Sequence, residues 1–431
     1  MDKVGKGVTQ VQCRLGSEMQ RICRLQGEML HECCFLGVSR VYSCLPSRAP
    51  AGPWSVAQGN QTLVLRSLGI VSLHHLTLSF VLCLFRQSMR NPFPPTDSLP
   101  GHGRVHLALL PPGTPALQTL TYQYPLKLIS PSPVTITPSA DNDLSHQVHT
   151  LYILTYGGGI VAGDTLTLRI DLDATTHLLI LTQGSTKIFK TPAPSTLSRQ
   201  DTNIHLKPAA SLVYLPDPVQ PFAQSAFEQT QRFYIHHQQD VPNASICVLD
   251  WVCQGRRALG EDWTFFKYSS KNEVYLVDGS RGSDETRLLL RDNVTLDASD
   301  EAIQSPLTRR MDGLGAIGTL ILYGPTFASL AAFFMDEFKS IPRIGGRKWD
   351  TSNEADDAIR DLEPLVVRRK ARQKQESTDG LLWSAAMTRG CVVVKFGARE
   401  VEGGKRWLRS MLETEGSVTA HFGERSLLCL R

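Results

Sequence analysis

The sequence lacks several features that mark secreted, nucleic-acid-binding or disulfide-stabilised proteins. Only four of its ten cysteines lie beyond residue 89, and such sparse use of cysteine favours a reducing, cytoplasmic compartment. Residues 90–431 carry 36 basic and 37 acidic residues, so this part of the chain offers no electrostatic footprint for nucleic acid. Residues 1–27 contain no continuous apolar stretch before a small-residue cleavage site, and we therefore expect no cleavable secretory signal.

Common catalytic motifs are also missing. The glycine cluster at 157–164 is not followed by the Gly-Lys-Ser/Thr of a phosphate-binding loop, and no Gly-x-Ser-x-Gly elbow lies near Ser185. Ser185 and Lys187 alternate along a predicted strand, without the Ser-x-x-Lys spacing of a serine nucleophile and its base. The sequence therefore disfavours an enzyme.

Residues 1–89 differ from the rest of the chain in charge and in cysteine content. They hold nine basic residues, four acidic residues and six cysteines, whose spacings match none of the Cys-x-x-Cys pairs of zinc sites. Leu63–Phe85 has the length of a membrane span but contains Arg66 and two adjacent histidines, which are costly in hydrocarbon. A membrane anchor and a poorly structured extension are both open interpretations. We favour the extension, with Met89 as the natural start and with residues 1–115 forming an extension and linker.

From residue 116 onward, alternation of apolar and polar residues predicts β-strands. Leu166, Leu168, Ile170 and Leu172 share one face of such a strand. The other predicted strands are Leu178–Thr182, Ser211–Leu215, Gln231–Ile235, Ser245–Trp251, Thr264–Ser269, Glu273–Val277, Thr319–Tyr323, Cys391–Phe396 and Ser417–Phe422. Because almost none of them is separated by an amphipathic helix, we predict a mainly β fold: a single large domain of mostly antiparallel strands with a few helices, over residues 116–431.

Two helices are predicted late in the chain. Thr326–Lys339 follows Pro325 and places its phenylalanines at helical spacing, and a final helix is expected over Arg399–Glu413. Between them, residues 345–380 form a charged insertion of low hydrophobicity with a basic run from Arg368. Such a run is typical of a solvated helix face or a disordered loop, and a partner-binding role is the alternative.

Three further segments contain residues with functional potential. The segment GGGIVAGD at 157–164 lies between two predicted strands and is typical of a tight turn, with Asp164 as its acceptor or weak metal ligand. The prolines of LPDPVQPFA at 215–223 fix an extended or turning path. LDWVCQGRRALGE at 249–261 runs from a strand into an Arg/Glu cluster, a pattern typical of an ion-pair network.

Taken in order, these motifs resemble those of a known family. The series PLKL at 125–128, GGGIVAGD, TQGSTKIFK at 182–190, LPDPVQPFA and LDWVCQGRRALGE is similar to the signature series of the UreD family, called UreH in some bacteria. The resemblance covers about residues 120–430. It departs from the family at Ala162, where glycine is usual, and in the charged insertion, and residues 1–89 match no part of it.

The resemblance implies a mainly β protein that hydrolyses nothing. It implies a complex with UreF and the GTPase UreG that docks on apo-urease. That complex delivers nickel and allows the active-site lysine of urease to be carbamylated. The UreD-type protein contributes an internal, water-filled passage for the metal. Carried over to this sequence, it points to six residues for nickel passage or partner contact: Asp164, Ser185, Lys187, Asp217, Glu261 and Asp292. No tightly bound cofactor is expected, and nickel is the transported ion.

Elementary metal chemistry is compatible with such a passage. Nickel ranks high in the affinity order for nitrogen and sulfur ligands, so a passage lined with cysteine and histidine would retain the ion. Carboxylates, hydroxyls and carbonyls bind it more weakly and release it faster. The rival interpretations are a membrane-anchored protein, which depends on Leu63–Phe85, and a generic β-rich binding module, which the missing secretory signal disfavours.

Overall fold

The computed structural model describes residues 99–137, 145–278, 285–298, 305–341 and 364–431. These residues form nineteen strands and five α-helices. In chain order the strands are β1 (His102–Leu110), β2 (Thr114–Tyr122), β3 (Leu126–Ile129), β4 (Val134–Ile136), β5 (His146–Thr155), β6 (Gly159–Ile160), β7 (Thr165–Leu172), β8 (His177–Leu181), β9 (Thr186–Ile188), β10 (Ser198–Leu206), β11 (Ser211–Tyr214), β12 (Val219–Pro221), β13 (Ala226–His237), β14 (Ser245–Cys253), β15 (Lys267–Asp278), β16 (Glu285–Asp297), β17 (Ala316–Tyr323), β18 (Leu382–Thr388) and β19 (Cys391–Ala398). The helices are α1 (Leu307–Met311), α2 (Ala328–Lys339), α3 (Pro364–Thr378), α4 (Val401–Glu415) and α5 (Ser417–Phe422).

The strands build two sheets between which the chain winds as a coil. The first sheet has the order β16-β15-β13-β10-β7-β1-β2, and the main path of the second is β18-β19-β17-β14-β11-β8-β5-β3. From β5 to β15 the chain passes alternately through the two sheets. Each strand therefore lies beside the strand that the preceding turn of this winding path placed in the same sheet. Strands connected through another element in this way run parallel. Accordingly β7, β10, β13 and β15 pair in parallel, as do β5, β8, β11 and β14.

The prediction of mostly antiparallel strands is therefore wrong, although the mainly β class is confirmed. Antiparallel pairing is found toward the outer strands, between β15 and β16, between β1 and β2, and along β14-β17-β19-β18. The error has a physical reason: apolar alternation predicts which side chains are buried, but it is the same for parallel and antiparallel neighbours.

The second sheet is buried on both faces. Alternate residues of β14 contact different layers: Val248 joins the core shared with the first sheet, whereas Leu249 and Trp251 join the core beneath the helices. The helix side of that core includes Leu330 and Phe334 of α2 and Trp407 of α4. Burial of each such side chain contributes about 1.5–3 kcal/mol, so this apolar contact fixes the helices on the sheet.

Most of the predicted elements are confirmed, with local differences. The helix predicted at Thr326–Lys339 is α2 with a preceding 3-10 turn, and the one at Arg399–Glu413 is α4. Ser417–Phe422, predicted as a strand, is helix α5, since six residues are too few for periodicity to separate the two. β1 begins at His102, within the stretch predicted as a linker, because its alternating Val105 and Leu107 are buried.

Some predictions fall outside the described residues. These are the extension over residues 1–98, including Leu63–Phe85 and Met89, and the part of the charged insertion at residues 345–363. The later part of that insertion contains α3. Among the residues described, none of the helices is both long and apolar enough to cross a membrane.

Candidate functional site

Four of the five sequence motifs stack at one corner of the coil. GGGIVAGD contains β6, TQGSTKIFK contains β9, LPDPVQPFA contains β12, and LDWVCQGRRALGE includes the end of β14. β6 pairs in parallel with β9, β9 with β12, and Val219 of β12 with Val252 of β14. Motifs far apart in sequence are thus successive layers of one structure, which we name the turn stack.

Close approach within the turn stack explains one of its glycines. A Cβ atom on Gly159 would lie 2.7 Å from the carbonyl oxygen of Lys187 and 2.6 Å from the ring of Phe189. Both distances are shorter than side chains tolerate, so only glycine permits β6 to pack against β9 at this point.

Asp164 closes the glycine turn on itself. Its Oδ2 accepts a hydrogen bond from the backbone N–H of Val161 at 3.0 Å, and its backbone oxygen accepts one from the N–H of Arg199 at 2.8 Å. Asp164 as a whole is half-buried. The bond from Val161 is the turn-forming role of an aspartate. The bond from Arg199 holds the glycine motif against the start of β10.

Ser185 and Lys187 lie at the surface of the turn stack. Ser185 is half-buried and Lys187 is exposed. Ser185 lines a cavity of about 70 Å³ together with Thr182, Gly184, Gln200 and Tyr214, which we name the mouth cavity. Gln200 lies on the face of β10 that points between the sheets, so the mouth cavity borders that space.

Asp217 ties three parts of the protein together. The residue is 7% exposed, and its Oδ2 accepts hydrogen bonds from Thr182 Oγ1 at 3.2 Å and from the Gly184 N–H at 3.0 Å. Its Oδ1 lies 2.9 Å from Nζ of Lys405 on α4. Asp217 therefore holds the wall of the mouth cavity and joins it to the helical layer.

Glu261 forms the ion pair that the Arg/Glu cluster predicts. Its carboxylate pairs with the Arg256 guanidinium and also accepts the Arg256 backbone N–H at 3.1 Å. Hydrogen bonding to the Arg256 side chain lowers the pKa of Glu261 below its ordinary value, outweighing the burial that raises it. The Arg256 guanidinium in turn lies 3.9 Å from the centre of the Phe222 ring. By holding Arg256 there, Glu261 fixes the last turn of the turn stack in chain order.

Asp292 lies elsewhere, on β16, and belongs to a polar band between the two sheets. On the first sheet four residues stand in register across neighbouring strands, each less than a tenth exposed: Thr202, Gln231, Asn272 and Asp292. Three polar residues of the second sheet are likewise in register: Asp250, Thr319 and Lys395. With Gln229 and Ser270 these residues form what we name the interior polar band.

Side chains bridge the two halves of the interior polar band. Asp250 accepts hydrogen bonds from Gln229 Nε2 at 2.7 Å and from Asn272 Nδ2 at 2.6 Å, and a third comes from Ser270. Asp292 accepts one from Thr319 Oγ1 at 3.0 Å and pairs with Lys395 Nζ at 2.6 Å. The Lys395 side chain is 25% exposed, so the band reaches the surface there. At the opposite side Gln229 stands in register with Gln200 of the mouth cavity.

Asp250 is the residue of the site that sequence reasoning missed. It lies inside the LDW motif, in the fully buried strand β14, and burial raises the pKa of its carboxyl group, while hydrogen bonds from Ser270 and Asn272 oppose that shift. The signal that could have identified it is an acidic residue within an otherwise apolar run, because a charge is not buried in such a strand without polar partners.

Three oxygen atoms of the interior polar band lack a hydrogen-bond partner within the described part of the chain. They are Thr202 Oγ1, Gln231 Oε1 and Asn272 Oδ1, and they belong to residues paired in register on β10, β13 and β15. Buried polar atoms are normally satisfied by protein, water or an ion. The band therefore offers oxygen ligands suited to water or a hydrated cation.

The donor set consists of carboxylates, amides and hydroxyls. In the described ranges no three His, Cys, Asp or Glu side chains are grouped as a metal site. The structure thus brings five predicted site residues to the turn stack, namely Asp164, Ser185, Lys187, Asp217 and Glu261, and sets Asp292 in the interior polar band.

Comparison with known proteins places the chain among urease accessory proteins. A family model described as "UreD urease accessory protein" matches residues 101–427. "Urease accessory protein 4" of Cryptococcus neoformans var. grubii is 30% identical over 360 residues, covering 77% of this chain and 94% of that protein. "Urease accessory protein UreD" of Anaeromyxobacter sp. is 28% identical over 328 residues, covering 76% and 90%. "Urease accessory protein D" of Arabidopsis thaliana is 32% identical over 219 residues, covering 51% and 67%.

Proposed function

The chain belongs to the UreD family of urease accessory proteins, and we propose that it carries nickel through its interior polar band toward apo-urease. Family membership gives it a role in urease maturation together with other components of that process. The proposal adds the ion and its route. The protein acts as a cytoplasmic scaffold and catalyses no reaction of its own.

The observation that carries this proposal is the row of oxygen ligands between the two sheets. Carboxylates, amide oxygens and hydroxyls suit a hydrated divalent ion and exchange it readily, whereas imidazole and thiolate ligands bind nickel more tightly. The unpartnered oxygens of Thr202, Gln231 and Asn272 stand one strand apart, so each can take over part of the hydration of an ion that the previous one releases.

The proposed route begins at the mouth cavity and ends near Lys395. From Gln200 it follows Gln229 to Asp250. From there the unpartnered oxygens of Thr202, Gln231 and Asn272 lead to Asp292. The Asp250 carboxylate lies midway along this route and attracts the cation. Its three neutral hydrogen-bond donors keep that attraction moderate.

The proposed partners follow from the family resemblance. UreF-type and UreG-type accessory proteins supply the nickel-loaded complex, and apo-urease receives the ion. On this proposal the turn stack contributes the surface through which partners reach the mouth cavity, with Lys187 exposed on it.

The experiment that tests the proposal is urease activation with the variant Asp250→Asn. The change keeps the size of the side chain but removes its charge from the route. We expect activation to fall by about tenfold, the lower end of the loss seen when a polar group that supports metal ligands is removed, while binding of the accessory partners is retained. The matched control is Asp201→Asn, on the outward face of β10, where the carboxylate is 39% exposed.

Two results would contradict the proposal. Full activation by a folded Asp250→Asn protein would exclude a route past Asp250. Loss of activation together with loss of partner binding would instead assign Asp250 to the stability of the fold.

A further inference from the structure

Imidazole side chains are concentrated in a cavity on the outer face of the first sheet. The cavity has a volume of about 810 Å³ and lies toward the carboxyl ends of β1, β7, β10 and β13, which run parallel. Four of the chain's twelve histidines line it: His106, His205, His236 and His237. Because imidazole suits zinc, copper and nickel ions, this lining points to a transition-metal ion.

The charged side chains that line this cavity nearly cancel one another. Arg169 pairs with Asp171 at 2.9 Å, and Lys207 pairs with Asp173 at 2.7 Å. The remaining cation, Arg104, lies 3.8 Å from Asp171, and 63% of its side chain is exposed. Two of the three cations are thus paired and the third is largely in solvent, so the cavity has no marked preference for anions. Its chemical selectivity comes from the imidazoles.

Two of the four imidazoles stand at the separation of neighbouring metal ligands. Nδ1 of His205 and Nε2 of His236 are 3.3 Å apart and share a hydrogen bond in which one imidazole donates and the other accepts. Bonds of about 2.0–2.1 Å from nitrogen to a metal ion place two ligand nitrogens about 3.3 Å apart in a tetrahedral site and about 2.9 Å apart in an octahedral one. The other two imidazoles of the cavity are engaged with Asp173 at 3.3 Å and with Asn243 at 2.8 Å.

The fold holds this pair of imidazoles in position. The His205 ring stacks on the Tyr234 ring of the next strand, with ring centres 4.5 Å apart and an angle of 10° between the planes. His236 lies two residues after Tyr234, on the same face of β13. Burial, with a smaller contribution from Arg169, lowers the pKa of His205 to about 4. Its imidazole is therefore neutral at neutral pH, which is the form that binds a metal ion.

We propose that His205 and His236 together bind a divalent transition-metal ion, nickel, on the outer face of the first sheet. On ion binding, the imidazole that donates the hydrogen bond moves its hydrogen to the other nitrogen of the same ring, so both facing nitrogens present lone pairs. Water completes the coordination. Imidazoles bind nickel more tightly than the oxygen ligands of the interior polar band, so this site retains an ion at the surface. The site is independent of the proposed route, and only the choice of nickel rests on the proposed function.

Equilibrium dialysis of the full chain against Ni²⁺ tests the assignment. The variant His205→Gln/His236→Gln should bind one nickel ion fewer per chain than the wild type, or bind it at least about tenfold more weakly. The matched control His106→Gln/His237→Gln removes two imidazoles from the same cavity and should bind nickel as the wild type does. Histidines and cysteines elsewhere in the chain contribute equally in both variants. A large excess of Mg²⁺ should not displace the ion, because magnesium prefers oxygen ligands.

A second variant covers the case in which the double variant does not fold. His205→Phe keeps an aromatic ring on Tyr234 but lacks the ligand nitrogen, and it should lose the same nickel ion. Nickel binding equal to that of the wild type in a folded variant of the pair would overturn the assignment. An equal loss in the pair and control variants, or displacement of the ion by Mg²⁺, would also overturn it. Asp250→Asn should retain the ion that the pair variant loses, so failure of this site is distinguishable from failure of the proposed route.

Discussion

Lys405 and Asp217 lie 188 residues apart in sequence, yet their Nζ and Oδ1 atoms are 2.9 Å apart. This ion pair joins helix α4 to the turn stack, and the remaining oxygen of Asp217 organises Thr182 and Gly184. The helical layer and the mouth cavity are consequently parts of one polar network.

Removal of Lys405 should destabilise the protein. Lys405→Met leaves the carboxylate of Asp217 nearly buried without its cation, and we expect a loss of about 3 kcal/mol in the free energy of unfolding. Arg409→Met is the control, because the Arg409–Glu413 pair is 41% and 43% exposed. Loss of such an exposed pair costs about 0.5 kcal/mol. Urea denaturation measures both, and equal losses would show that Lys405 has no special structural role.

Gly159→Ala should also be destabilising. The added methyl group would lie within 2.7 Å of the Lys187 carbonyl, so β6 and β9 must separate, at a cost of about 1–3 kcal/mol. The matched change Gly404→Ala lies in helix α4, where the nearest atom is 3.4 Å away, and the better helix propensity of alanine favours it by up to about 1 kcal/mol. Thermal unfolding should therefore shift in opposite directions for the two variants.

The pH dependence of stability should contain a contribution from Glu261. Its pKa is lowered from 4.5 by Arg256, so the folded state favours the charged form, and the stabilisation is present above that value. It is lost as the pH falls through the lowered pKa. In urea titrations from about pH 7 to about pH 3 the Glu261→Gln variant should be less stable at neutral pH and should lose less on acidification. A parallel pH profile for wild type and variant would contradict this assignment.

Sequence periodicity was sufficient to predict the strands and helices whose apolar side chains contact a single core. The alternation of Leu166, Leu168, Ile170 and Leu172 corresponds to β7, all four being buried, and α2 follows the helical spacing of its phenylalanines. Strand direction was not readable, because it depends on how each coil returns through the other sheet. The order of the motifs indicated strand direction indirectly, because each motif forms the next layer of the turn stack and pairs in parallel with the one before it.

The candidate site was predictable in part for a related reason. Acidic residues in turns, such as Asp164 and Glu261, are conspicuous in sequence, and the structure groups them. The interior polar band is formed by single polar residues on separate strands, and neither Thr202 nor Asn272 stands out until the register brings them together. Asp250 was detectable as a lone acid in an apolar strand, but its partners were not.

The proposed path of the ion between the two sheets is tested by the nickel content of urease matured in the presence of variants of this protein. Thr202→Val replaces the unpartnered hydroxyl group of the interior polar band by a methyl group of similar size. Ile204→Leu is a volume-conserving change between apolar side chains, two residues along the same face of β10. Urease matured with the Thr202 variant should contain much less nickel than urease matured with the Ile204 variant, while both variants remain folded and bound to their partners. Equal nickel contents would show that the ion does not pass between the two sheets.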